Sequence, residues 1–187
     1  IRVAAGEKLA FTQTDVKRDG GAIECRINAE DPVGNFLPST GRLVRFAPPE
    51  QTMWQSDTEH LSGVRVDTGV YDGGEIPMYY DSMIAKLIVH GKDRNDAIAK
   101  AREALNGFAI RGISSNIPFQ AALLAHPDFV SGKFNTGFIA QHYADGFHAE
   151  DVPHDDPDFL VALALFRNRR YRARASTITG QMQGHQV

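Results

Sequence analysis

Apolar and polar residues alternate along the stretch 22–30. Its apolar positions are Ile23, Cys25, Ile27 and Ala29, and its polar positions are Glu24, Arg26, Asn28 and Glu30. A period of two predicts a β-strand that buries one face and leaves the other face polar. Arg26 then projects from a regular backbone, where a guanidinium can bind a carboxylate, a phosphate or an enolate-like oxygen through paired hydrogen bonds. An ordinary solvated strand face is the simpler interpretation of the pattern alone.

Three more strands are predicted, near residues 42–47, 64–70 and 83–90. The second of these alternates in the same way. The third is apolar on both faces apart from Lys86, which is typical of a central strand. Short connections between the strands favour antiparallel pairing. The polar stretch 50–62 predicts a surface loop.

Helices are predicted on the C-terminal side of the last strand. The first runs from about 94 to 106, with Asp93 as its N-cap and an apolar stripe along one face. The second covers 116–125, and a third, short helix is predicted through Phe138, Ile139 and Tyr143, with Thr136 available as its cap. Strands and helices together predict an α+β fold: a mostly antiparallel sheet with two to three packed helices, followed by a short helical extension.

Composition shifts towards the C-terminus. Residues 148–158 are acidic and contain prolines, which predicts a linker between a domain at 1–147 and a following region at 159–187. That region begins as an apolar helix, for which Asp158 is an available cap, and continues into an arginine-rich segment. At the other end, residues 1–6 are typical of the last turn of a helix without its beginning, so we expect a piece of a longer protein.

The totals exclude several classes of function. The chain of 187 residues is 42% hydrophobic and 23% charged, which is ordinary globular composition, and its net charge of −3 does not favour nucleic-acid or membrane-surface binding. No apolar run approaches the ~18 residues of a membrane span. The one cysteine, Cys25, alternates with apolar neighbours and is predicted to be a buried thiol. The seven histidines show no close pair at metal-ligand spacing and no CxxC accompanies them, so no metal site is predicted.

Four motifs carry a family resemblance. They are Glu24-Cys25-Arg26-Ile27-Asn28 with the Phe36-Leu37-Pro38 that follows, Gly63-Val64-Arg65-Val66-Asp67-Thr68-Gly69, Tyr79-Tyr80-Asp81-Ser82-Met83, and Ser115-Asn116-Ile117. In this order they closely resemble the C-terminal part of the biotin carboxylase family, over roughly residues 1–145. The resemblance implies the C-terminal domain of that enzyme, which follows a larger ATP-grasp lobe.

The resemblance also implies a reaction. Biotin carboxylases use ATP, Mg²⁺ and bicarbonate to carboxylate a ureido nitrogen of biotin. The family's catalytic arginine corresponds to Arg26, since a fixed guanidinium would stabilise negative charge on the ureido oxygen. Asp81 and Glu24 are expected at the biotin site or in support of Arg26, although Asp81 equally fits a turn aspartate. Phe138 and Ile139 lie where the family's last helix approaches the adenine pocket, but ordinary core packing is the simpler expectation for both.

The same resemblance names partners. Most ATP and Mg²⁺ ligands are expected in the ATP-grasp lobe, so the chain alone is expected to be inactive. Residues 159–187 resemble the start of the middle region of propionyl-CoA carboxylase α subunits, which implies a carboxyltransferase β subunit and a biotin carboxyl carrier domain as partners. A methylcrotonyl-CoA or acetyl-CoA carboxylase α chain, or a non-catalytic structural and assembly module, are the alternatives. The expected compartment is the cytoplasm, or the mitochondrial matrix in a eukaryote.

Overall fold

The computed structural model describes residues 1–52, 63–154 and 156–177. Its strands are β1 (Gly21–Asn28), β2 (Glu30–Asp31), β3 (Leu37–Pro38), β4 (Gly41–Arg42), β5 (Arg45–Ala47), β6 (Gly63–Thr68), β7 (Glu75–Ile76), β8 (Met83–Gly91) and β9 (Ala109–Arg111). Its α-helices are α1 (Arg94–Asn106), α2 (Ile117–Ala125), α3 (Pro127–Ser131), α4 (Phe138–His142) and α5 (Pro157–Thr177). The predicted loop at 50–62 lies largely outside the described residues.

The main sheet has three antiparallel strands in the order β1–β8–β6. The central strand is β8, as its apolar faces predict, and β1 and β6 pair with its two edges. The predicted alternation of β1 is present: Cys25 and Ile27 are buried, whereas Glu24 and Arg26 are exposed. The smaller ladders β2–β3, β4–β7 and β5–β9 are antiparallel as well. The α+β fold with antiparallel pairing is therefore confirmed.

The segment near 42–47 does not join the main sheet, so this part of the prediction is wrong. It divides into β4 and β5, which pair with β7 and β9. The division occurs at Leu43, which is fully buried and exchanges backbone hydrogen bonds with the turn at 73–74. The backbone at Gly112 approaches the end of β4 closely. Gly112 has a φ of +99°, and a Cβ there would lie 2.2 Å from the carbonyl oxygen of Arg42, so this position requires glycine.

Helix α1 packs on the main sheet and forms one wall of the core. Its N-cap is Asp93, whose carboxylate accepts a hydrogen bond from the backbone amide of Asp96. Ala101, Ala104 and Leu105 join buried residues of β1, β6 and β8 in one continuous apolar cluster. The predicted bounds, cap and apolar face of this helix are confirmed.

A second, aromatic cluster lies beside α2. Phe119 and Phe147 are buried there and pack edge to face, with 5.5 Å between their ring centroids. The short helix α4 differs from its prediction at both ends, since its N-cap is Gly137 and not Thr136, and it ends at His142 with Tyr143 as its C-cap. No side chain caps α4, and the Asn135 side chain accepts a hydrogen bond from the amide of Gly137 in the turn before it.

The chain divides into two compact units, Ile1–Val152 and Pro153–Val187. The boundary falls inside the stretch predicted as a linker. In the second unit α5 begins before Asp158, so the predicted cap is wrong: the Asp156 carboxylate accepts the hydrogen bond from the backbone amide of Phe159. None of the described helices, α5 included, combines the length and the apolar composition needed to cross a membrane.

Candidate active site

Arg26 lies near the C-terminal end of β1 and points away from the core. Its side chain is 57% exposed. The residues on either side anchor the strand, since Cys25 is 3% exposed and Ile27 is fully buried. A displacement of Arg26 along or out of the sheet would therefore expose apolar surface. The strand holds the base of this side chain rigidly while the guanidinium stays accessible.

Met83, the first residue of β8, and Asp81, two residues before it, contact the Arg26 side chain. Its Nη2 lies 3.6 Å from Oδ2 of Asp81. Its Nε donates a hydrogen bond to the thioether sulfur of Met83 at 3.3 Å. The Asp81 side chain is itself oriented, because its Oδ1 accepts a hydrogen bond from the backbone amide of Met83 at 3.0 Å. The predicted pairing of Arg26 with Asp81 is thus present in the geometry, whereas the contact with Met83 was missed.

A β-bulge turns Met83 towards Arg26. The register of β1 and β8 shifts between Ile27 and Asn28, and Ile84 of β8 is left without a partner on β1. Side chains on a strand alternate between the two faces of the sheet. One inserted residue therefore moves the side chains beyond the bulge to the opposite face. Ile84 is 3% exposed and enters the core, and Met83 takes the same face as Arg26.

The backbone of β1 at this site is held from its outer edge. The Asn116 side chain donates from Nδ2 to the carbonyl oxygen of Arg26 at 3.0 Å and accepts from the backbone amide of Asn28 at 2.9 Å. Gln120, one turn along α2, donates to the same carbonyl at 3.3 Å. Sequence reasoning missed both contacts, because α2 lies far from β1 along the chain.

The other predicted site residues lie elsewhere or make no contact with Arg26. Glu24 is exposed on the same face of β1, and among the described residues no hydrogen bond or ion pair joins it to Arg26. Phe138 is buried on α4, where its ring packs against His126 and His142. Ile139, the next residue of α4, is 47% exposed, so the simpler expectation of core packing is met by Phe138 alone.

The fold brings together two histidines that are far apart in sequence. His126, Asp128 and His142 offer nitrogen and oxygen atoms within 4.8 Å of one another. Their hydrogen bonds account for this proximity. The Nδ1 of His126 accepts from the amide of Asp128 and so caps α3, and Nε2 of His142 lies 3.1 Å from Oδ2 of Asp128. The Nδ1 atom of His126 is therefore already engaged in the α3 cap.

Cys25 lies on the buried face of β1, where it is 3% exposed. Burial in the apolar core, with a smaller contribution from the Glu24 carboxylate, raises the pKa of its thiol to about 12. Nucleophilic reactions of cysteine require the thiolate, which burial in apolar surroundings disfavours. The prediction of a buried thiol is confirmed.

The comparisons with known proteins decide the family. Residues 24–141 match the family described as the biotin carboxylase C-terminal domain. The chain belongs to this family. The chain is 46% identical over 196 residues to the propionyl-CoA carboxylase alpha chain of Ruegeria pomeroyi, an alignment that covers 100% of this chain. It is 50% identical over 139 residues, or 74% of this chain, to biotin carboxylase 1 of Bacillus subtilis.

A solved biotin carboxylase structure agrees with the fold. The biotin carboxylase domain of Hydrogenobacter thermophilus 2-oxoglutarate carboxylase, a dimer in complex with MgADP and bicarbonate, matches with a TM-score of 0.68 at 40% identity over 75% of this chain. The chain spans 29% of that chain and 29% of each of the two relatives. Arg26, Asp81 and Met83 all lie within the matched range, so the candidate site belongs to the biotin carboxylase C-terminal domain.

Proposed function

We propose that this chain is the C-terminal part of the biotin carboxylase domain of a biotin-dependent carboxylase, and that Arg26 acts in the carboxylation of biotin. The full-length protein that contains the chain is called the parent carboxylase below. The observation that carries the proposal is the exposed guanidinium of Arg26, held on a rigid strand inside the segment that matches the family.

The chemistry of the site fits a ureido group. Loss of the proton from a ureido nitrogen of bound biotin would leave negative charge on the ureido oxygen, and that charge would be consumed when the nitrogen accepts the carboxyl group. The Arg26 guanidinium carries planar N–H donors and a permanent charge, and it stabilises an oxygen whose charge grows during the reaction. The Asp81 carboxylate lies 3.6 Å from the Arg26 guanidinium and is 65% exposed. It orients the guanidinium, whose positive charge stays accessible to a bound ligand.

ATP, Mg²⁺ and bicarbonate belong to the proposal through the parent carboxylase. The sequence has no glycine-rich phosphate loop of its own, so we place the nucleotide and metal ligands mainly in the ATP-grasp lobe. The solvent-exposed face of β1 would then pack towards that lobe. Phe138 and Ile139 stay candidates for the neighbourhood of the adenine ring, and only Ile139 has an exposed side chain to offer.

The region after the first unit favours propionyl-CoA as the final acceptor. The alignment with the Ruegeria pomeroyi propionyl-CoA carboxylase alpha chain extends over the whole chain, whereas that with Bacillus subtilis biotin carboxylase 1 covers 74% of it. On this basis we propose a propionyl-CoA carboxylase α subunit, with a carboxyl carrier domain and a carboxyltransferase β subunit as partners. The compartment is then the cytoplasm in a bacterium or the mitochondrial matrix in a eukaryote.

The test of this function is an assay of the purified parent carboxylase. ADP release should require bicarbonate and increase when free biotin is added. With the β subunit present, carboxylation of propionyl-CoA should exceed that of acetyl-CoA and of methylcrotonyl-CoA. A rate of ADP release that does not change when biotin is added would overturn the proposed biotin carboxylation. A preference for another acyl-CoA would overturn only the assignment to propionyl-CoA carboxylase.

A role in assembly is a second candidate for α5. This helix exposes Phe159, Leu160, Val161, Leu163, Leu165 and Phe166, and its later turns carry a run of arginines. Apolar side chains in that number are costly in water and favour a partner surface. Charge reversal of the arginines at 167–174 should abolish subunit association and spare free-biotin carboxylation. Retained association would contradict the assembly role.

A further inference from the structure

Asn116 hydrogen-bonds to the backbone along the outer edge of β1, the edge that does not pair with β8. β1 is an edge strand of the main sheet, so the residues that do not bond to β8 direct their backbone groups outward. Three consecutive outward groups are the carbonyl of Arg26 and the amide and carbonyl of Asn28. All three bond to Asn116, through its Nδ2 at 3.0 Å, its Oδ1 at 2.9 Å and its backbone amide at 3.1 Å. The asparagine thus replaces a neighbouring strand over this short length.

Asn116 is well placed to hold this geometry. It is 5% exposed and is the one buried polar residue among those that the structure describes. In such a position each amide atom needs a partner, because an unbonded polar group away from water is unfavourable. Its own carbonyl accepts from the backbone amide of Gln120, which fixes it to the first turn of α2. The hydrogen bonds therefore connect the Arg26 backbone to a helix, and not to a loop.

We propose that Asn116 is a positioning residue for Arg26: it fixes the Arg26 backbone so that the guanidinium meets the reacting oxygen, and Gln120 supplies a second, weaker hold. This inference rests on the proposed function, since it presupposes that Arg26 acts in biotin carboxylation. Its physical basis is that the Arg26 side chain is exposed and that, within the part of the chain the structure describes, it contacts Asp81 at 3.6 Å and Met83 at 3.3 Å. The direction of the side chain therefore depends on the position of its backbone. Small misplacements of a catalytic group cost large factors in rate.

The decisive variant is Asn116→Asp in the parent carboxylase. Aspartate keeps the size and the acceptor for the Asn28 amide, but it loses the donor and sets a carboxylate oxygen against the Arg26 carbonyl. The rate of free-biotin carboxylation should fall about tenfold to a hundredfold, with the KM for ATP unchanged. A matched control is Phe147→Leu, a buried substitution in the aromatic cluster beside α2, with the Tm of both proteins measured.

A double mutant separates positioning through Arg26 from a general effect on the fold. In a protein that already carries Arg26→Gln, Asn116→Asp should produce little further loss. Equal factors in both backgrounds, or a loss no greater than that in Phe147→Leu, would overturn the inference. If Asn116→Asp yields no folded protein, Gln120→Ala decides: a lower carboxylation rate at an unchanged Tm supports positioning, and an unchanged rate overturns it.

The two proposals fail differently in this experiment. If Arg26→Gln alone leaves the carboxylation rate unchanged, the proposed role of Arg26 fails, and the positioning role of Asn116 fails with it. If Arg26→Gln abolishes transfer but the Asn116 and Gln120 variants behave like the control, only the positioning role is overturned.

Discussion

Arg26 is constrained at its backbone and loosely guided at its tip. Hydrogen bonds from Asn116 and Gln120 hold its carbonyl, whereas among the described residues its guanidinium has an ion pair with Asp81 and a thioether contact with Met83. Such an arrangement fixes the origin of the side chain and leaves its N–H groups free for a ligand. The permanent charge of arginine is not lost on partial desolvation, as that of lysine can be.

Asp81→Asn tests the guidance at the tip. An exposed ion pair contributes up to about 1 kcal/mol, which corresponds to about fivefold in rate. We therefore expect a loss of about that size in biotin carboxylation by the parent carboxylase, with no change in Tm. Asp145→Asn, at an exposed turn, is the matched control. A loss as large as that of Arg26→Gln would instead indicate direct contact between Asp81 and biotin.

Cys25 gives a test of packing on the other face of β1. Because burial raises the pKa of its thiol to about 12, almost no thiolate exists at pH 8 in the folded state. We expect no reaction with a disulfide reagent at pH 8 over the time in which the unfolded chain reacts completely. The reaction is followed by the absorbance of the thiol that the reagent releases. The chain has one cysteine, so this signal comes from Cys25 alone. Rapid reaction of the native chain would show that β1 does not pack as described.

At the scale of elements, periodicity predicted what depends on local sequence. The alternation around Arg26 and the Asp93 cap preceding an apolar stripe each reflect contacts that repeat along one strand or helix. The bulge at Ile84 was not predictable in this way, because its neighbours on both sides are apolar and the pattern reads the same with or without an extra residue. The contact of Asn116 with β1 was also not predictable from the sequence, since a contact between residues far apart along the chain produces no periodic pattern.

Asp93→Ala tests the start of α1. Loss of an N-cap costs about 1 kcal/mol, which for a chain of this size lowers the Tm by about 2–4 °C. Thermal unfolding followed by circular dichroism measures the change. Asp145→Ala removes an exposed carboxylate that makes no hydrogen bond or ion pair within the described residues, and it should leave the Tm unchanged. Equal Tm values for the two variants would contradict the capping role.

At the scale of the whole molecule, our proposal makes the Arg26 site one side of a larger active site in the parent carboxylase. The chain spans 29% of the length of the relatives reported above, and its sequence offers no phosphate loop. We therefore expect the purified 187-residue chain to show no bicarbonate-dependent ATP hydrolysis and no biotin carboxylation. The parent carboxylase, assayed alongside, is the positive control. Bicarbonate-dependent ADP release by the chain alone would contradict the proposal that the ATP site lies mainly in the ATP-grasp lobe.

The central claim is tested most directly by the rate of free-biotin carboxylation in Arg26→Gln of the parent carboxylase. Glutamine retains a hydrogen-bond donor but lacks the charge, so the rate should fall by about 10²–10³. The KM for ATP should stay unchanged, and stability should change by less than ~1 kcal/mol because the side chain is exposed. Arg45→Gln, which removes an exposed strand arginine from β5, should leave the rate unchanged. Wild-type carboxylation by Arg26→Gln, or a loss fully explained by unfolding, would remove Arg26 from the mechanism.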